Sequence, residues 1–233
     1  TTGYDFMGAV NGLFCDGRNR RRFQRIYEKH GGGQRDPETL AADKKRMIIG
    51  KHMAGDIDNL AHLLKTISGL DRYGRDITMH GLRRALVEVM ACFPAYRSYV
   101  DAEGISPSDR LFIKEAVSFA RRSSPNLFYE FNFLEKCLLL EFAEMLSEEE
   151  RGKLLHFVMR FQQFTGPLMA KGFEDTTLYI FNRLVSLNEV GGDPGSFGMT
   201  VKDFHAFNSR RAKRERHALC STATHDTKRG EDA

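Results

Sequence analysis

The chain has 233 residues, 41% of them hydrophobic and 28% charged. That allows one large or two modest domains with a real core, and it excludes an intrinsically disordered chain. The 35 basic and 31 acidic residues leave a net charge of +4, too mild an excess for a nucleic-acid-binding protein. No stretch is long and apolar enough to span a membrane, and no signal peptide is visible.

Taken in chain order, the pattern is helical almost throughout. Asn19–His30 is strongly charged but places Phe23, Ile26, Tyr27 and His30 on one face. Asp36-Pro37 is a cap followed by a first-turn proline, so a helix starts there. Its apolar stripe (Leu40, Met47, Ile48, Ile57, Leu60, Leu64, Ile67) runs to a stop at Gly69, with a bend expected near Gly50 and Gly55. Thr78 opens a helix through Leu82, Leu86, Val89 and Phe93, halted by Pro94. Ser106-Pro107 opens the next, and Ser124-Pro125 precedes an apolar helix over Leu127–Met145. Ser147 with Glu150 fits a capping box, and Gly166-Pro167 is expected to end the helix that follows. Thr176–Glu189 reads as another helix, Gly191–Gly198 as a glycine-rich loop with a turn at Asp193-Pro194-Gly195, and Thr200 with Asp203 as the last helix start. Only Pro94–Val100 and Ala218–Thr224 look extended. The basic cluster Arg210, Arg211, Lys213, Arg214 and Arg216 reads as a solvated helix face near a C-terminus.

The four cysteines are far apart, with no CxxC pair. Cys92 and Cys137 read as small buried hydrophobes, and reduced thiols are the expectation. No His/Cys spacing suits zinc, and His30-Gly-Gly-Gly lacks the Lys-Ser/Thr of a phosphate loop. The chain contains no Trp; its aromatic residues are seven Tyr and 18 Phe, most of the Phe expected in the core.

Three polar stretches near the C-terminal end are unusual: Met169–Thr176 (MAKGFEDT), Asn182–Gly195 (NRLVSLNEVGGDPG) and Ser221–Asp232 (STATHDTKRGED). Each mixes carboxylates, amides, cations and glycines, which suits a site that must meet many hydroxyl groups with donors and acceptors. Asp226 is the leading candidate for chemistry; on spacing alone it reads instead as the cap of a helix beginning at Thr227. His225 could donate to a hydroxyl or bond to backbone. Lys228 and Arg229 follow on the same turn and could be solvated cations. Lys171, between Ala170 and Gly172, reads as a short-loop cation, whereas Glu174 and Asp175 could simply favour a helix N-terminus. Asn182 and Glu189, seven apart, share one face of the expected helix, and Asn188 lies beside them; that polar face could point at a hydroxyl-rich ligand or at water.

Together with the opening TTGYDF and the segment NGLFCD, these stretches resemble the maltooligosyltrehalose synthases of the alpha-amylase family of glycoside hydrolases. The resemblance runs along the whole chain and is tightest at 1–16 and 169–233. It implies a mainly α fold that is the helical insertion region of a parent (β/α)8 barrel, with at most short barrel-derived strands. Three parts are expected: 1–35 from the barrel, 36–165 the insertion, and 166–233 the return to the barrel, with Asp226 just beyond a strand end. It further implies an isomerase that converts the reducing-end α-1,4 linkage of a maltooligosaccharide to an α,α-1,1 linkage by retaining double displacement. Asp226 would be the third carboxylate, and His225, Lys228, Arg229, Lys171, Asn188, Glu189 and Asn182 would bind substrate. The nucleophile and acid/base motifs would lie upstream of Thr1, making the chain an inactive fragment. No cofactor or metal is implied. The expected setting is cytoplasmic, with a maltooligosyltrehalose trehalohydrolase as pathway partner. A hydrolytic amylase-family relative and a non-catalytic helical interaction module are the alternatives.

Overall fold

A computed structural model describes residues 3–31, 33, 36–72, 74–228 and 230. In chain order the elements are α1 (Tyr4–Leu13), α2 (Arg20–Lys29), α3 (Pro37–His52), α4 (Ala54–Ser68), α5 (Met79–Ala91), α6 (Pro107–Ser123), α7 (Phe128–Leu138) and α8 (Glu148–Leu168). A π-helix (Met169–Thr177), the short α9 (Leu178–Ile180) and α10 (Val201–Arg214) complete the set. The fold is mainly α. Among the described residues there is no strand, only an isolated antiparallel bridge between Asp101 and Gly104.

Local chemistry accounts for the starts of α3, α5, α6, α8 and α10. Thr78 Oγ1 accepts from Gly81 N–H at 3.0 Å, Ser106 Oγ from Asp109 N–H at 3.1 Å, and Thr200 Oγ1 from Asp203 N–H at 3.1 Å. Each satisfies one of the orphan donors of a first turn. Ser147 and Glu150 form the reciprocal capping box. At α3, Asp36 accepts from the Thr39 backbone at 2.9 Å and hydroxyl at 2.6 Å. Burial works to raise that carboxyl, but the bonds from Thr39 prevail and hold it below the usual range.

Four expectations are corrected. The helix starting at Ser147 does not end at Gly166-Pro167. Pro167 sits inside α8, and the chain continues with the wider turns of the π-helix. The Leu127–Met145 helix stops at Leu138. There Leu140 takes φ 56°, and the Glu141 and Leu140 amides return to the Lys136 and Cys137 carbonyls at 3.0 and 3.2 Å, a Schellman closure with leucine where glycine is usual. No helix spans Thr176–Glu189; α9 is one turn long and Phe181 (ψ 93°) leaves it. Neither extended segment becomes a strand. In Pro94–Val100, the Val100 N–H donates to Gln162 Oε1 at 2.6 Å and Gln162 Nε2 donates to Val100 O at 3.0 Å, so a side-chain amide stands where a strand partner would.

The chain divides into two compact units: residues 1–40 with 174–233, and residues 41–173. The division falls inside α3 and inside the π-helix. In the second unit α4 packs on α5 and α8, and α5 also meets α6 and α7. Ile57, Leu60, Leu64 and Ile67 of α4 follow helical spacing and are fully buried, as are Leu82, Leu86 and Val89 of α5 and Leu154, Phe157 and Phe161 of α8. Phe93 and Phe161 meet edge to face at 5.9 Å. Lys45 of α3 is only 4% exposed. Its ammonium donates to Phe93 O at 2.8 Å, and burial lowers its pKa to about 8.

The first unit is built on aromatic–arginine stacking. α1 packs on α10, with Phe6 and Phe204 at 6.2 Å. Arg211 of α10 departs from the solvated face expected for its cluster. It is buried, lies 5.3 Å from the Phe6 ring centre and 5.4 Å from that of Phe207, and donates to Leu219 O at 2.8 Å. Arg183 stacks on Phe181 and Phe197 and donates to Pro194 O at 2.7 Å. Tyr27 and Phe23 of α2 join this layer against Phe181 and Phe197.

Candidate functional site

The segment after α10 is shaped by two threonines. Thr224 N–H donates to Thr227 Oγ1 at 3.2 Å, and that hydroxyl donates back to Thr224 O at 2.7 Å. Asp226 N–H reaches Thr224 Oγ1 at 3.3 Å. A tight turn results, with His225 and Asp226 at its tip. No helix follows Asp226 among the described residues, so its carboxylate is not used as a cap. His225 Nε2 lies 3.1 Å from Asp226 Oδ2, with side-chain exposures of 85% and 62%. Both groups therefore face solvent, where such a pair contributes little to stability.

Lys228, next on the chain, is held at both ends. Its backbone N–H donates to Glu189 Oε1 at 2.6 Å. The same oxygen accepts from Val190 N–H at 2.9 Å, and Glu189 is 1% exposed. At the other end the Lys228 ammonium donates to Asp175 Oδ1 at 3.2 Å and stands 5.1 Å from the Tyr179 ring centre. Residues from all three polar stretches thus meet: Asp175 from the first, Glu189 from the second, Lys228 from the third. The opening segment joins them, since Thr224 Oγ1 donates to Tyr4 OH at 3.2 Å. Gly191, at φ 70°, passes so close to Tyr4 that a Cβ there would lie 2.5 Å from the tyrosine Cβ, and only glycine suits both demands.

The other expected site residues are placed differently. Asn188 is buried, and its amide nitrogen donates to Leu178 O at 2.7 Å and Phe181 O at 2.6 Å. Asn182 is exposed just beyond α9; without a helix here, it shares no helical face with Glu189. Lys171 belongs to the second unit, on the exposed side of the π-helix and not on a loop. Arg229 lies outside the described residues. The sequence reading passed over Tyr179, Tyr4 and Thr224. Tyr179 offered one signal: it is an aromatic residue four positions after Asp175, between Phe173 and Phe181. Among the described residues, no group of three or more His, Cys, Asp or Glu is arranged to hold a metal, and no helix is long and apolar enough to cross a membrane.

The chain matches no protein-family profile. A Mycobacterium tuberculosis protein, provisionally named a maltooligosyl trehalose synthase, is 26% identical over 232 residues; these are 100% of this chain and 27% of that protein. The solved structure of the Arthrobacter ramosus maltooligosyltrehalose synthase is 31% identical, with a TM-score of 0.79, over 100% of this chain and 27% of the other. A DSM5389 glycosyltrehalose synthase is 30% identical, with a TM-score of 0.65, over 98% of this chain and 24% of the other. The chain spans about a quarter of the length of these relatives.

Proposed function

We propose, from the premise that sequence and fold relate this chain to one stretch of the maltooligosyltrehalose synthases of the alpha-amylase family, that it forms part of an enzyme rearranging the reducing end of a maltooligosaccharide. Asp226 acts as the third carboxylate. An oxocarbenium-like transition state gains from hydrogen bonds at the ring hydroxyls that strengthen as charge develops, and an ionised carboxylate can accept two of them. The nucleophile and the acid/base, two further carboxylates, come from outside residues 1–233. The first attacks the anomeric carbon and the second protonates the leaving glucose, giving a covalent glycosyl-enzyme. The freed glucose stays bound, turns, and attacks through its own anomeric hydroxyl to form the α,α-1,1 linkage.

This chemistry needs a grip on the freed glucose and exclusion of water. Lys228 provides a cation already oriented at its backbone and its ammonium, and His225 offers a further donor beside Asp226. The observation that carries this reading is the meeting of Asp175, Glu189 and Lys228 from three separate polar stretches. In the full-length enzyme, Lys228→Ala is expected to raise the ratio of free glucose to trehalosyl product, measured by chromatography after incubation with maltopentaose. An unchanged ratio overturns the assignment of Lys228, and a wild type yielding only hydrolysis products replaces the mutase with a hydrolytic relative.

A further inference from the structure

Asn188 and Glu189 are neighbours in sequence, yet each braces a different wall of the site. Glu189 holds the Lys228 backbone. Asn188 bonds the carbonyls of Leu178 and Phe181, the residues on either side of Tyr179-Ile180. A third bond, from Tyr27 OH to Ile180 O at 3.3 Å, ties the same turn from α2. Leu178 and Phe181 are buried, so the turn is anchored at both shoulders while Tyr179 projects outward and stays 68% exposed. An exposed tyrosine on so firmly tethered a turn is costly to justify by packing, because it buries little of its own ring. The Lys228 ammonium lies over its ring, 5.1 Å from the centre, and bonds the Asp175 carboxylate at 3.2 Å.

We propose that Tyr179 is a sugar-stacking platform: a pyranose ring packs its C–H face against the tyrosine face that the Lys228 ammonium leaves open, and the rim hydroxyls that overhang the ring edge bond that ammonium and the Asp175 carboxylate. This rests on the glucan reading above and adds to it a ligand-touching residue and two positioning residues, Asn188 and Glu189. The chemistry is complementary. A pyranose presents apolar C–H groups on its face and hydroxyls at its rim. The platform offers an amphipathic ring with a polar tip, flanked by a cation with three donors and a carboxylate acceptor. The chain has no Trp, so this role falls to a tyrosine or phenylalanine. Because the braces fix the turn before any ligand arrives, little ordering is left for the sugar to pay for.

The test is titration of the full-length enzyme, its nucleophile replaced so that maltopentaose is not turned over, followed by calorimetry and by saturation transfer from aromatic protons, with inositol as a polyol control. Tyr179→Ala is expected to weaken maltopentaose binding about tenfold, while Tyr179→Trp and Tyr179→Phe stay within about threefold of wild type. Asn188→Ala should weaken binding too, and the Asn188→Ala/Tyr179→Ala pair should bind no worse than Tyr179→Ala alone, because the brace acts through the ring. The thermal midpoint of Tyr179→Ala should match wild type, since the ring is exposed; this separates lost stacking from lost folding. Equal maltopentaose binding by wild type and Tyr179→Ala overturns the platform and leaves the glucan reading standing. Weakening that Tyr179→Trp fails to restore also overturns stacking. A folded full-length enzyme that binds maltopentaose no better than inositol overturns both.

Discussion

Lys45 shows how a single side chain can write a pH dependence into the fold. Its ammonium meets a backbone carbonyl in a place where buried cations usually meet a carboxylate, and burial lowers its pKa from 10.5 to about 8. Between those two values the unfolded chain binds more protons than the folded one, so this residue makes stability rise with pH across that window. Wild type should therefore gain on Lys45→Met between pH 7 and pH 10, by at most roughly 3 kcal/mol. Urea unfolding of both proteins at the two pH values checks this, and a constant difference contradicts it. Nothing local marked Lys45 as buried, because a lysine inside an amphipathic helix reads as solvated. Arg211 was misread in the same way: its neighbours in sequence are cations, and only the folded chain brings Phe6, Phe207 and the Leu219 carbonyl around it. Asp226 and Lys228 stand out in the sequence for the opposite reason, since their motif is contiguous.

Among elements, the helix starts were the most legible, because a cap is a contract between residues three apart. Thr78, Ser106, Ser147 and Thr200 all cap as their spacing implies. Ser147→Ala removes the acceptor for Glu150 N–H and breaks the reciprocal box. It should cost about 1 kcal/mol, read as a lower urea midpoint with an unchanged slope. The helix ends and the irregular turns were not legible, since they answer to distant partners. Asn188 takes the Leu178 and Phe181 carbonyls that a continuous helix would use for its own ladder, which is why Thr176–Glu189 breaks up. Pro167 has no N–H to give to the preceding turn, yet the chain carries on and widens into the π-helix at Met169. Packing decides that outcome, and packing is absent from a window of eight residues. The segment MAKGFEDT is thus conspicuous in composition but reads wrongly in conformation.

At the scale of the molecule, the two units differ in what holds them. The 41–173 unit has a continuous apolar core reaching from Ile49 to Leu168. The other has a small apolar cluster of Cys15, Leu187 and Phe197, and its cohesion comes from stacked arginines and from hydrogen bonds between loops. Native-state hydrogen exchange should separate them: amides of α4, α5 and α8 exchange slowest, and those of residues 218–228 exchange orders of magnitude faster, near the local-opening limit. Comparable protection in both regions contradicts this.

The first unit is also discontinuous, joining residues before 41 to residues after 173. A ribosome emitting about 5–20 residues per second makes Tyr4 wait on the order of ten seconds before Gly191 and Thr224 exist to receive it. Throughout that interval α1 and α2 are half of an unfinished clasp, with Phe6, Phe23 and Tyr27 bare to whatever chaperone or protease is near. Any premature stop before Glu174 leaves them so for good. The cell is thereby spared a truncated product that folds neatly and goes unnoticed.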